Sequence, residues 1–408
     1  MKKLTVKRLL ALGLTLAMVL SMAACGGSGD DSAETTSDAA ETTETSDDSE
    51  AAASGDVTIA YIPKERAESF WQAVEAGAQK AAEDLGCELI MYGDAAGANT
   101  AANQSTYVET ATELEVDAIT FAALDSDSTD AALQAAQAAG IKVVGFDSDP
   151  GEEARDWFVN QVDPDALAKT LLDDVVAAVG DQYSAETPCV VALVSTNLTT
   201  PNQNTWIESI KKAYYSDYEI AYTDTGAIDF DACKEQTRSN TYTVNPEYEM
   251  LNVITNPDNI IYAGDGAGLE EIESYLTAHP ETNFLVSLTT NVIASCGTAI
   301  ESCGLSDTCM FNGIATPGDS ENYLSSGMMS TVVLWQAYDL GYLAVDVAYD
   351  AATGALEEGA TEYVSGLSGQ TQVEGVSTYD ESHLVDGSVV YLGAPATFTL
   401  DTLDKWKA

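Results

Sequence analysis

The stretch VTIAYIPKERAESFWQAVEAGAQKAAEDLGCELIMYG, residues 57–93, decides the fold of this chain. Residues 57–62 are mostly apolar or β-branched and predict a buried strand. Residues 67–85 predict a helix that ends at Gly86, since glycine commonly closes helices. One face of this helix carries Phe70, Val74, Ala78, Ala81 and Leu85. A second strand is predicted over 87–93, and the order strand, helix, strand is typical of a parallel sheet with crossover helices.

The same alternation continues along the chain. Further strands are predicted at 117–124, 141–147, 157–159, 189–195, 218–224, 283–288, 309–315, about 328–334, 388–393 and 396–401. Helices are predicted between them at about 101–114, from Ser126 or Asp127 to Gly140, and at about 164–180, 203–214, 230–240, 269–278, 291–303, 318–326 and 335–353. Residues 241–268 do not follow the alternation, so we interpret them as an extra excursion with two Asn-Pro turns.

These elements predict an α/β fold of two Rossmann-like lobes, each with a parallel sheet, joined by a multi-strand hinge. About 350 residues follow the first 56, which is too many for one hydrophobic core. We expect the N-terminal lobe to comprise 57–161 plus about 335–362. The C-terminal lobe and a tail that crosses the hinge would comprise about 162–334 plus about 363–408.

The N-terminus predicts export and lipid anchoring. Residues 1–24 have a basic start and a short apolar run at 9–20, the layout of a signal peptide. The run is shorter than the roughly 20 residues that a membrane-spanning helix needs. Met-Ala-Ala-Cys, ending at Cys25, resembles the lipobox of bacterial lipoproteins, in which the cysteine is lipidated. The alternative is an ordinary secretory signal in which Cys25 is incidental.

Residues 25–56 predict a disordered acidic tether after the lipidated cysteine. Residues 26–56 contain only Gly, Ser, Ala, Thr, Asp and Glu, and such side chains cannot build a core. The tether would hold the folded part near the cell membrane while leaving it free to move.

Composition excludes several classes of partner and cofactor. The chain has 66 acidic and 16 basic residues and a formal net charge of −50, so it repels nucleic acid and anionic lipid. Only two histidines and no Cys-x-x-Cys pair are present, so we expect no metal and no cofactor. The six cysteines after Cys25 are either small buried apolar residues or disulfide partners.

Polar and aromatic side chains follow the predicted strands where each strand ends. In open parallel sheets, ligands bind beyond the carboxyl ends of the strands. The candidate ligand-binding residues are Lys64, Phe70, Trp71, Asp147, Asn160, Asn202, Gln203, Asn204, Thr289, Asn291 and Trp335. Amides and carboxylates hydrogen-bond hydroxyl groups, and aromatic rings stack on C–H faces. Each residue also has a structural interpretation as a surface charge, helix core, capping turn or hinge packing.

Several short blocks in this order resemble the type 1 periplasmic sugar-binding proteins of ABC importers, particularly the rhamnose-binding and autoinducer-2-binding branch. The blocks are IAYIPK (59–64), FDSD (146–149), NQ (160–161), QNTW (203–206), IATP (314–317), VLWQ (333–336) and VVYLGAPATFTLDTLDKW (389–406). The resemblance implies ligand contacts by Lys64, Asp147 and Gln203. Asn202 stands where autoinducer-2 binders have aspartate, and Leu288, Thr289 and Thr290 replace their Pro-Asp-Ala segment.

The resemblance implies a binding protein rather than an enzyme. We expect a monomeric, lipid-anchored extracytoplasmic protein that captures a sugar-like molecule by lobe closure and delivers it to an ABC permease. One alternative is a sensor that presents its closed form to a membrane receptor. Another is an extracellular carbohydrate-active enzyme, for which the chain offers no recognisable catalytic constellation, so we assign no catalytic residue.

Overall fold

The computed structural model describes residues 57–406 except 96, 98, 126–127, 225, 265–266, 358 and 367–381. The predicted signal peptide, Cys25 and the acidic tether lie outside these residues. The described chain forms one compact unit. No helix within it combines the length and the apolar composition needed to cross a bilayer.

The described residues form fifteen strands and ten α-helices. The strands are β1 (Thr58–Ile62), β2 (Glu88–Met91), β3 (Ala118–Phe121), β4 (Lys142–Phe146), β5 (Trp157–Asn160), β6 (Cys189–Ser195), β7 (Leu251–Ile254), β8 (Ile261–Tyr262), β9 (Phe284–Ser287), β10 (Met310–Gly313), β11 (Val332–Leu334), β12 (Glu362–Val364), β13 (Ser382–Asp386), β14 (Val389–Tyr391) and β15 (Ala396–Phe398). The helices are α1 (Ser69–Leu85), α2 (Ala101–Glu113), α3 (Asp130–Ala138), α4 (Pro164–Val179), α5 (Pro201–Tyr214), α6 (Phe230–Ser239), α7 (Leu269–Ala278), α8 (Ile293–Ser302), α9 (Pro317–Ser326) and α10 (Ala337–Thr353).

The strands form two principal sheets. Sheet A has the order β12-β13-β14-β5-β4-β3-β1-β2, and its strands from β14 to β2 run parallel. Sheet B has the order β10-β9-β6-β7, with β8 also paired to β6, and is parallel throughout. A separate antiparallel pair joins β11 to β15. The predicted α/β class with parallel sheets is confirmed.

One predicted strand is wrong and one unassigned stretch is part of a sheet. Residues 218–224 make only an isolated bridge, between Tyr222 and Ile228. The excursion at 241–268 instead supplies β7 and β8. Most side chains of 218–224 are exposed or half-buried, whereas Leu251 and Val253 are buried. The segment that forms a strand of sheet B is therefore the one whose apolar side chains become buried.

The C-terminal tail also differs from the expected lobe assignment. The sequence analysis places residues from about 363 to 408 in the C-terminal lobe and a tail that crosses the hinge, whereas in the structure β13 and β14 extend sheet A, because β14 pairs with the edge of β5. An unpaired edge strand offers backbone groups to any nearby strand, and Val390 is fully buried there. The chain then continues from β14 to β15, beside β11.

Helices α1 and α10 pack unusually closely against each other on sheet A. A Cβ atom at Gly77 would lie 1.8 Å from the backbone oxygen of Tyr338, and one at Gly341 would lie 1.8 Å from that of Val74. Only glycine permits this backbone approach. Since Phe70 and Trp71 belong to the first turn of α1, this packing fixes the helix that carries part of the candidate site.

The six described cysteines carry free thiols. Cys189, Cys233, Cys296 and Cys309 are buried, and Cys87 and Cys303 are half-buried. Burial raises the pKa of the Cys189 and Cys309 thiols to about 12, so both are protonated and packed as small apolar side chains.

Candidate functional site

A cleft of about 610 Å³ lies at the carboxyl ends of strands from both sheets. Its sheet A side comes from loops after β1, β2, β3 and β4, and its sheet B side from loops after β6, β8, β9 and β10. The connection after β11 completes the wall. Such a position is the usual ligand site of open parallel sheets, because the strand ends splay and leave a crevice.

Nine of the eleven predicted site residues line this cleft. They are Lys64, Phe70, Trp71, Asp147, Asn202, Gln203, Thr289, Asn291 and Trp335. These residues are brought together from positions that span more than half of the chain, because each follows the end of a strand or begins the next helix.

Asn160 and Asn204 do not line the cleft. The Asn160 Oδ1 accepts a hydrogen bond of 3.3 Å from the Val162 N–H, and the Asn204 amide donates at 2.8 Å to the Leu198 carbonyl. Both side chains therefore stabilise local turns, the alternative role considered for such amides. The sequence analysis places both residues in the ligand site, but the structure does not bring them to the cleft wall.

Asp147 is the most constrained residue of the cleft. Its backbone is left-handed, with φ of 59°, a conformation that aspartate adopts more readily than most residues. Its carboxylate lies 2.9 Å from the Lys64 ammonium, and the two side chains are 6% and 12% exposed. Gln161 donates to the other carboxylate oxygen at 3.5 Å. The turn after β4 thus aims a buried ion pair into the cleft.

Asn202 links this ion pair to the first turn of α5. Its Oδ1 accepts from the Lys64 ammonium at 3.5 Å, and its amide donates to Asp147 at 3.4 Å. The Ser148 hydroxyl lies 3.5 Å from the same Oδ1 and accepts from the Asn202 N–H at 3.4 Å. An amide can serve both a cation and a carboxylate because it carries acceptor and donor atoms together. Lys64 and Asp147, which follow strands of sheet A, are therefore in contact with Asn202, which follows a strand of sheet B.

Gln203 has a positioning role in the wall. Its Oε1 accepts from the Ser195 hydroxyl and from the Thr196 N–H, both at 2.7 Å, and its Nε2 donates to the Thr196 hydroxyl at 2.9 Å. These bonds hold the loop after β6 in place. Thr289 is similarly tied, since its carbonyl accepts from the Ser287 hydroxyl at 2.6 Å.

A series of aromatic rings crosses the cleft wall. Phe70 meets Trp71 edge-on at 5.3 Å and Trp335 edge-on at 6.1 Å between ring centroids. Trp335 in turn lies 5.8 Å from Trp206. The indole N–H of Trp335 is buried and has no hydrogen-bond partner among the described residues. Trp206 is not among the predicted site residues, although it ends the QNTW block that contributes to the family resemblance.

Glu68 is the principal residue that sequence reasoning missed. It is the N-cap residue of α1. Its carboxyl accepts a hydrogen bond from the Thr290 hydroxyl. When the Asn291 amide is oriented with its nitrogen toward Glu68, that nitrogen donates to the two carboxyl oxygens at 3.0 and 3.2 Å. Burial raises the pKa of Glu68 to about 7; the Thr290 hydrogen bond lowers it, and nearby carboxyls raise it further. The sequence does contain a feature that could have identified Glu68: it is an acidic residue four positions after Lys64, at the start of the predicted helix that carries Phe70 and Trp71.

The sequence matches the periplasmic binding protein domain family over residues 59–356. A solute-binding protein of an ABC transporter from Clostridium phytofermentas, with bound L-rhamnose, superposes with a TM-score of 0.68 at 22% identity, covering 86% of this chain and 98% of that one. LsrB from Clostridium saccharobutylicum in complex with AI-2 gives 0.67 at 22% identity, covering 86% and 100%. A solute-binding protein from Burkholderia graminis in complex with D-arabinose gives 0.59 at 16% identity, covering 86% and 98%.

Proposed function

The chain belongs to the periplasmic binding protein family, as its resemblance predicted, and from that premise we propose that it captures a sugar or sugar-like small molecule outside the cytoplasm for an ABC importer. The observation that carries this proposal is the cleft where the strands of sheets A and B end, lined by amides, hydroxyls, an ion pair and aromatic rings. The family and its solved neighbours are binding proteins, and we assign no catalytic residue.

The chemistry of the lining supports a small hydroxylated ligand. Lys64 and Asp147 offer a charged donor and a charged acceptor, and Asn202 offers both kinds of atom beside them. Charge-assisted hydrogen bonds to hydroxyl groups are stronger than neutral ones. Phe70 and Trp335 add apolar faces that suit the C–H face of a sugar ring. The solved neighbours hold L-rhamnose, AI-2 and D-arabinose, and all three are small and rich in oxygen.

We propose lobe closure as the mechanism. Three connections join the sheet A half to the sheet B half, at residues 161–163, 335–336 and 392–395, between β5 and α4, β11 and α10, and β14 and β15. A small change in these segments would move one half against the other. To shift the protein from a mostly open to a mostly closed population, the ligand must bind the closed form about 5.5 kcal/mol more tightly than the open form. A few hydrogen bonds made only in the closed form can supply it.

A direct search for the ligand tests this function. The protein, purified gently without its first 24 residues, should release a small hydroxylated molecule on denaturation, identified by mass spectrometry. That molecule should bind the protein in titration calorimetry. Asp147→Asn should weaken its binding at least about tenfold, whereas Asp156→Asn, directly before β5 and outside the cleft lining, should not. If Asp147→Asn and Asp156→Asn both keep the wild-type affinity, the assignment of the cleft as the ligand site is wrong.

Lipid anchoring at Cys25 is a separate part of the proposal, supported by the lipobox-like sequence alone. The full chain expressed in a bacterial host should sediment with membranes and enter the detergent phase. Cys25→Ser should move it to the soluble extracytoplasmic fraction. A variant that still sediments with membranes would contradict lipidation at this residue and leave the binding function intact.

A further inference from the structure

The charged side chains of the cleft are predominantly acidic. Among the described residues, the lining contains the carboxyls of Glu65, Glu68, Asp125 and Asp147 and one cation, Lys64. The Lys64 ammonium lies 2.9 Å from Asp147, and both side chains are largely buried. Its charge is therefore already balanced within the protein, and it offers little net attraction to a ligand anion.

The side-chain carboxyl of Glu68 has only neutral hydrogen-bond partners among the described residues. The Thr290 hydroxyl and the Asn291 amide donate to it, and the charged groups that shift its pKa upward, Glu65, Asp319 and Asp147, are all acidic. Glu68 is also half-buried. A carboxyl in such surroundings gains more from a nearby cation than from any neutral group.

The aromatic lining is an independent observation that suits a cation. Phe70, Trp71, Trp206 and Trp335 all contribute to the cleft wall, and Phe70 lies only two residues after Glu68. Ammonium groups are attracted to aromatic faces, most strongly to tryptophan. Trp335 is 3% exposed and has an indole N–H without a partner among the described residues. This donor suits an oxygen of the ligand.

We propose that the cleft takes an amino-bearing sugar or related hydroxylated amine, and that Glu68 is the residue that selects the cationic group. This inference rests on the proposed sugar-binding function. The ligand ammonium would lie beside the Glu68 carboxylate, while its hydroxyl oxygens meet Lys64, Asn202 and the Trp335 indole. A phosphorylated or otherwise anionic sugar would meet Glu65 and Glu68 without a cation to balance it.

Matched sugars test the charge preference directly. Titration calorimetry at pH 7 compares D-glucose, D-galactose and D-mannose with the 2-amino-2-deoxy and 6-phosphate forms of each. We expect one amino sugar to bind at least about tenfold more tightly than its neutral parent, as a charge-assisted contact predicts. The 6-phosphate of that sugar should bind more weakly than the parent.

Glu68→Gln separates charge recognition from a purely structural role. Glutamine keeps the side-chain size and can still accept from Thr290, but it carries no charge. The variant should bind the amino sugar and its neutral parent with nearly equal affinity. Glu83→Gln, on an exposed part of α1, is the matched control and should keep the wild-type ratio. Circular dichroism and thermal unfolding establish that both variants are folded.

The outcomes distinguish this inference from the function on which it rests. Neutral sugars that bind as tightly as their amino forms overturn the inference and leave sugar binding standing. An amino preference that survives in Glu68→Gln also overturns it, because another group would then hold the cation. If no sugar in any series binds, this inference fails, whereas the proposed sugar binding stands or falls with the molecule that the purified protein releases on denaturation.

Discussion

Replacing Asp147 with asparagine tests the ion pair at the centre of the cleft. The substitution removes the carboxylate that faces the Lys64 ammonium at 2.9 Å. Asparagine has nearly the same volume and also tolerates left-handed backbone, so the turn at φ 59° is preserved. Lys64, with a side chain only 12% exposed, is left with the Asn202 amide oxygen as its remaining hydrogen-bond partner among the described residues.

The expected loss of stability follows from distance and burial. Two unit charges 2.9 Å apart attract by about 6 kcal/mol at an effective dielectric constant of about 20. Desolvation of both ions offsets several kcal/mol of this attraction. Removing one partner also leaves a buried charge without compensation, so we expect Asp147→Asn to lower the free energy of unfolding by about 2–4 kcal/mol.

A double-mutant cycle measures the coupling. Urea unfolding of the wild type, Asp147→Asn, Lys64→Met and the double variant should show the double variant more stable than the two single losses predict, by about 2–3 kcal/mol. Lys142 and Asp156 form a control pair at a similar distance, 3.0 Å, but with side chains 45% and 23% exposed. Their coupling should stay below about 1 kcal/mol.

Additive losses at Lys64 and Asp147 would refute this explanation. They would mean that the two side chains do not form a compensated pair in solution. Lys64 would then be available to an anionic ligand, which would also remove the charge argument for an amine in the cleft. Equal coupling in the buried and exposed pairs would instead show that burial contributes nothing to the interaction.

Three further predictions concern the cleft and its support. Because burial raises the pKa of Glu68 from 4.5 to about 7, the folded protein binds a proton more tightly than the unfolded chain. Between pH 4.5 and pH 7 the wild type should lose up to about 3 kcal/mol more stability than Glu68→Gln, in which Asp174 and Asp346, whose pKa values burial also raises, still titrate. Urea unfolding at pH 4.5 and pH 8 compares them, and parallel curves would contradict the shift. Trp335→Phe removes the buried N–H but keeps a ring, so calorimetry should show the affinity for the purified ligand falling by about 0.5–1.5 kcal/mol; unchanged affinity would exclude a hydrogen bond from the indole. Gly341→Ala places a Cβ atom 1.8 Å from the Val74 oxygen and should lower stability by about 2–3 kcal/mol or more in thermal unfolding, whereas Gly318→Ala, which meets no atom within 4 Å, should be neutral or slightly stabilising. Equal effects would mean that α1 and α10 are not in close contact.

Local patterns predicted most of the elements. The strand–helix–strand unit at 57–93 appears as β1, α1 and β2, with Gly86 left-handed at the end of α1. The helix predicted at 269–278 has those bounds in the structure. These predictions succeed because hydrophobic periodicity and glycine caps act within one element.

The predictions that failed concern choices between distant segments. Residues 218–224 have the composition of a strand, but β7 occupies the place beside β6. Asn160 and Asn204 lie at strand and helix ends, as expected, yet their amides bond to local backbone. A sequence pattern places a residue on an element but does not determine which of several partners its side chain meets.

The sequence by itself determined the α/β class, the family and most of the polar and aromatic side chains around the strand ends, because each of these follows from local spacing and short blocks. Tertiary structure alone decided that the tail extends sheet A and that Glu68 meets Thr290, 222 residues away. It also buried that acid among other carboxyls. Such contacts depend on how two sheets approach each other, and that approach is set by the packing of the whole chain rather than by any one segment.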